Sequence, residues 1–84
     1  METQLKIERK PEVLSRTGYS RSTLHARIKQ NLFVPPISLG ERAVGWVSSE
    51  VDHCISAMIA GQTNQELNAL VTSIVENRKA EVQK

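Results

Sequence analysis

Pro11-Glu12-Val13-Leu14-Ser15-Arg16-Thr17-Gly18-Tyr19-Ser20-Arg21-Ser22-Thr23-Leu24-His25-Ala26-Arg27-Ile28-Lys29-Gln30 is the stretch that decides the fold. It spells a short helix, a glycine turn and a second, serine-capped helix. Pro11 suits a first helical position, because its fixed φ matches a helix and its missing N–H is not needed there. Val13, Leu14 and Thr17 make one small apolar face. Gly18 ends that helix, since glycine enters the left-handed C′ conformation without steric cost. Ser20 is a strong N-cap whose hydroxyl can accept from the amide of Ser22 or Thr23. Leu24 and Ile28, four apart, form the buried stripe of the second helix. At about 100° per residue, Ser22, His25, Ala26 and Lys29 fall opposite Leu24, with Arg21 and Thr23 on the flanks. Asn31 tolerates the left-handed region and reads as the C′ residue. This is the grammar of a helix-turn-helix.

Beyond Asn31 the period changes. Phe33-Val34-Pro35-Pro36-Ile37-Ser38-Leu39 is barred from helix by two prolines and reads as an edge strand or extended segment. Gly40-Glu41-Arg42 is a turn, and Ala43-Val44-Gly45-Trp46-Val47 a second strand. Together they predict a β-hairpin with a loop of about three to five residues. Beside a helix-turn-helix such a hairpin is a wing. Ser48 and Ser49 offer N-caps for a third helix, with Glu50 and Asp52 in its positive first turn. Val51, Cys54, Ile55, Met58 and Ile59 follow at three-and-four spacing, and Gly61 closes the helix. Thr63-Asn64-Gln65-Glu66 is a capping box opening a fourth helix, in which Leu67, Leu70, Val71, Ile74 and Val75 share a face. That helix is expected to end near Arg78. Upstream, Leu5 and Ile7 alternate with polar residues as a short extended entry.

The chain has 84 residues and 39% hydrophobic content, which suits one small domain with a modest core. So small a core leaves little room for a deep enzyme pocket. No stretch approaches the roughly 18 to 20 apolar residues of a membrane span, and no leader-like apolar segment follows Met1. Cys54 is the one cysteine, so an internal disulfide is impossible and a reducing, cytoplasmic setting is the simplest expectation. Charge is uneven along the chain. Residues 1–47 carry eight Lys and Arg against four Glu, a net +4, whereas residues 48–84 carry three against five acids, a net −2. A basic half that also holds the helix pair suits a polyanion.

The chemistry follows from side-chain type. Ser22, Thr23 and His25 can meet base edges or phosphates, and Arg27 and Lys29 suit phosphates. Arg21 can chelate guanine O6 and N7. Arg42, at the hairpin tip, can reach a phosphate or the minor groove. On spacing alone, a helix pair with a merely solvated polar face is equally open. Trp46 reads as a core anchor. His53 and Cys54 diverge by about 100° on a helix and cannot share a metal. Paired carboxylates, a nucleophile triad and a glycine-rich phosphate loop are all missing. No enzyme, cofactor, metal or small-molecule ligand is therefore expected.

The chain resembles the AlpA family of prophage and genomic-island regulators. The resemblance runs from Leu14 to Ile59 and is carried by Ser20-Arg21-Ser22-Thr23-Leu24 with Ile28-Lys29, Pro36-Ile37, Leu39-Gly40, Arg42-Ala43-Val44-Gly45-Trp46, Ser49-Glu50-Val51-Asp52 and Ile55. It implies a MerR-like, excisionase-like winged helix-turn-helix that binds promoter or attachment-site DNA of a mobile element. It implies that Arg21, Ser22, Thr23, His25, Ala26 and Lys29 lie on or near the DNA face and Arg42 on the wing. The family often has Tyr at the His25 position, a large basic residue at Ala26, Gly at Asn31 and Trp at Cys54. Sequence preference therefore cannot be carried over.

The expectation is a mainly α fold with a small β-hairpin. Residues 1–61 form the winged helix-turn-helix, and the amphipathic helix of residues 62–84 packs on it or oligomerises. The expected function is sequence-specific binding of double-stranded DNA in the cytoplasm, on the nucleoid, as a homodimer or cooperative oligomer. It would regulate an integrase gene or excision. Two alternatives stay open: an architectural excision factor that bends DNA, and a protein-interaction module such as an antirepressor docking through Leu67, Leu70, Val71 and Ile74.

Overall fold

A computed structural model describes residues 5–82, with side chains placed for residues 5–78. The element order is β1 (Ile7–Glu8), α1 (Lys10–Thr17), α2 (Arg21–Lys29), β2 (Ile37–Gly40), β3 (Ala43–Val47), α3 (Ser48–Ile59) and α4 (Asn64–Val82). The molecule is a mainly helical winged helix-turn-helix with a small antiparallel sheet, as the sequence predicts. The sheet has three strands in the order β1-β3-β2. The expected entry segment is thus an edge strand, with Ile7 opposite Val47 and Glu8 opposite Trp46.

The helix pair forms as its end signals dictate. Arg9 caps α1, Pro11 stands in its first turn as expected, and Glu12 accepts from the Arg9 amide at 3.1 Å. Gly18, at φ 78°, closes the helix with its N–H on Leu14 O at 2.8 Å. Ser20 then caps α2, its Oγ accepting from Thr23 N at 3.2 Å. The turn is Gly18-Tyr19-Ser20, the short glycine-bearing connection of a helix-turn-helix. At the far end Asn31 sits at φ 61°. Its N–H meets Ile28 O at 3.0 Å and that of Leu32 meets Arg27 O at 2.8 Å, the paired bonds of a Schellman close.

The hairpin is tighter than expected. Gly40 pairs with Ala43, leaving a two-residue tip of Glu41 and Arg42, with an irregularity between Ser38 and Gly40 that absorbs the extra residue. Arg42 holds φ 60° there. Phe33 and Val34 are not strand; both are fully buried and plug the core between α2 and the prolines. Tyr19 stacks edge-on to Phe33 with ring centroids 6.0 Å apart. Trp46 is the expected anchor, 1% exposed, with Nε1 donating to Val34 O at 3.0 Å.

α3 departs from its expected cap. Val47 occupies the N-cap position without a side-chain bond, and Ser48 donates to buried Glu8 instead, at 2.7 Å. Ile59, expected on the apolar stripe, is 82% exposed, while Ala57 is buried in its place. The α4 box forms in both directions, Thr63 N to Glu66 Oε1 at 2.9 Å and Glu66 N to Thr63 Oγ1 at 3.2 Å. α4 runs on past Arg78 to Val82. Leu67, Val71 and Ile74 are buried with Val51, Cys54, Leu32 and Ala57. The face considered for docking a partner is therefore spent on the chain's own core.

Two ion clusters pin the helices. Arg16 of α1 is held by Glu8 of β1 and Asp52 of α3. Asp52 first, and Glu8 with it, raise the guanidinium above its ordinary range, so it stays charged. Arg78 of α4 grips Glu50 of α3 with Nη2 at 2.6 Å and Nε at 3.1 Å, and donates to Pro35 O at 2.7 Å.

Candidate nucleic-acid interface

The candidate site is the outer face of α2. Leu24, fully buried, and half-buried Ile28 press the helix onto Val13, Phe33 and Val34. That seat fixes which residues are left outside. Arg21, Ser22, Thr23, His25, Ala26 and Lys29 are all exposed. Arg21, His25 and Lys29 stand one turn apart and make a basic ridge, with Ser22 and Ala26 beside it. Ala26 adds no donor. It leaves a small apolar step, which can meet a thymine methyl but cannot bond a phosphate.

The other two α2 candidates have prior engagements. Thr23 accepts from Ser20 Oγ at 3.0 Å, so its hydroxyl belongs to the cap as well as to the surface. The Arg27 guanidinium lies 5.8 Å from the centroid of Tyr19. It is half-buried over that ring, on the side of the turn and away from the ridge. Arg42 is exposed at the tip of the wing, on a separate element.

Sequence reasoning missed one neighbour of this face. Lys10, at the start of α1, brings Nζ to 3.1 Å from His25 Nε2. Fifteen residues of separation hide that contact, and only the geometry of the turn shows it. Conversely, Arg16 and Arg78 are committed to carboxylates, so the charge of this face comes from Lys10, Arg21 and Lys29, with Arg42 on the wing.

Among the described residues, no group of three or more His, Cys, Asp or Glu is placed to hold a metal. Cys54 is buried, and that burial pushes its thiol up, away from reactivity. No described helix is long and apolar enough to cross a membrane.

Residues 6–59 match the family described as Prophage CP4-57 regulatory protein (AlpA). Among curated proteins, the uncharacterized protein ORF88 of Enterobacteria phage P4 is 42% identical over 60 residues, covering 71% of this chain and 68% of that relative. No solved structure matches the chain. The family match takes in both helices of the helix-turn-helix, the whole wing and α3, so the chain belongs to the AlpA family of prophage regulatory proteins.

Proposed function

We propose that this chain is a sequence-specific DNA-binding regulator of a prophage or integrative element, controlling integrase expression or excision from the cytoplasm, on the nucleoid. α2 enters the major groove. An α-helix with its side chains is about 10–12 Å across, and the groove is about 12 Å wide. Arg21, near the helix N-terminus, reads a guanine edge, and Ser22 bonds a neighbouring base or phosphate. Lys29 neutralises the backbone, and Arg27 joins it only on leaving the Tyr19 ring. Arg42 carries the wing to the flanking phosphates or the minor groove. Thr23 holds the cap that aims Ser22, and Ala26 leaves room for the groove wall.

The observation that carries this reading is the composition of α2: an apolar seat on one side and an exposed ridge of basic and hydroxyl groups on the other, inside a prophage regulatory family. The same reading holds that copies associate on DNA as a dimer or cooperative oligomer. Genome-wide mapping of bound DNA tests it. Peaks upstream of an integrase gene are the expected result. Peaks confined to recombination sites, with strong bending of the bound fragment, replace the regulator with an architectural excision factor. Absence of any enriched site contradicts both.

A further inference from the structure

Lys10 opens α1 and His25 sits at the middle of α2, and their side chains meet at 3.1 Å on the exposed surface. An ammonium only donates, so this contact needs an imidazole whose Nε2 carries a free lone pair. The charged groups around His25 come from two elements. On α2, Arg21 and Lys29 flank it one turn before and one turn after. On α1, whose Val13 shares the core with Leu24, the charged side chains are Lys10, Glu12 and Arg16. Glu12 accepts from the Arg9 amide, and Arg16 is held by Glu8 and Asp52. Among the described residues, neither Lys10 nor His25 has a carboxylate partner.

We infer that Lys10 and His25 form one clamp for a DNA backbone phosphate, and that closing it takes up a proton. The inference rests on the reading of α2 as the DNA face. The two groups come from different helices, so a phosphate oxygen between them ties α1 and α2 to the same strand. It replaces the Lys10–His25 hydrogen bond. Lys10 keeps its proton and turns it to the phosphate. His25 Nε2 gains a proton from solvent and donates it to the same anion. Negative charge at that spot favours the charged imidazole, and histidine is the side chain that titrates near neutral pH. The contact carries no base information, so it operates on any duplex.

The test is fluorescence anisotropy with a labelled random-sequence duplex of about 30 base pairs, at fixed ionic strength, near pH 6 and pH 8. Wild type is expected to bind about tenfold more tightly near pH 6. His25→Gln removes most of that gain, whereas His53→Gln, altering the other histidine, keeps it. Lys10→Ala weakens binding by about threefold to tenfold and lowers the slope of log affinity against log salt by about one. Circular dichroism checks that each exposed substitution leaves the fold intact. A His25→Gln protein with the wild-type pH response, or a Lys10→Ala protein with the wild-type salt slope, overturns the clamp and leaves DNA binding standing. Wild type without salt-dependent binding at either pH overturns the DNA reading and the clamp with it.

Discussion

Gly45 shows what a single residue decides. A Cβ built there meets Ile7 Cγ2 at 2.5 Å, Leu39 Cδ1 at 2.9 Å and the backbone oxygen of Glu8 at 3.2 Å. Glycine is needed because the Ile7 and Leu39 side chains of the two flanking strands lie across β3 at that point; its φ is ordinary and plays no part. Gly45→Ala should therefore destabilise the fold by about 1–3 kcal/mol, read as a lower denaturant midpoint. Overpacking on this scale is invisible in sequence, where Gly45 is only an interruption of an apolar strand. Cys54 is the opposite case, since its place on the stripe already marks it as core. Its folded thiol is raised from an ordinary value of 9.0 by burial. Folded and unfolded chains are both neutral there below that value, so stability is undiminished at neutral pH. Above it the unfolded chain ionises first, and stability falls. The denaturant midpoint should drop more between pH 8 and pH 10 for wild type than for Cys54→Ala, and thiol labelling at pH 8 should await unfolding.

At the scale of elements, local end signals are legible in the sequence. Gly18, Ser20, Asn31 and the Thr63–Glu66 box all stand where their chemistry puts them. Each is satisfied within a few residues, which is why sequence reveals it. The failures are tertiary. Ser48 was available as a cap, but Glu8, 2% exposed and from a strand forty residues earlier, claims its hydroxyl. Ile59 completes a helical stripe on paper, yet α4 covers only as far as Ala57 and Met58. α1 likewise owes its position to Arg16, which a charge count treats as free. The grip of Arg78 on Glu50 and Pro35 fixes α4 across the start of α3. Arg78→Met should cost about 2 kcal/mol, because it strands a largely buried carboxylate. A double-mutant cycle with Glu50→Gln should recover part of that loss. Simple additivity would show that the pair contributes nothing.

The described residues span 32 × 25 × 25 Å, small enough to sit in one turn of a duplex with a helix in the groove and a wing beside it. α4 is a structural member of that body. A chain ending at Gln62 would expose Val51, Cys54 and Ala57, now covered by Leu67, Val71 and Ile74. It is expected to lose cooperative unfolding altogether, measured by thermal circular dichroism. A truncated chain that melts like the full one would make α4 an accessory. The fold and the face of α2 were legible because amphipathic spacing states which side is buried. The Lys10 contact and the diversion of Arg27 onto Tyr19 were not, because they depend on how the turn folds α1 and α2 together. The central claim is that α2 reads sequence. Selection from a random duplex pool, run in parallel with wild type, Arg21→Ala and Lys29→Ala, tests it directly. Wild type should enrich one motif. Arg21→Ala should lose preference at a single position, worth about 1–3 kcal/mol, and Lys29→Ala should keep the motif while binding every sequence more weakly. An unenriched wild-type pool, or an Arg21→Ala motif identical to that of wild type, would contradict it.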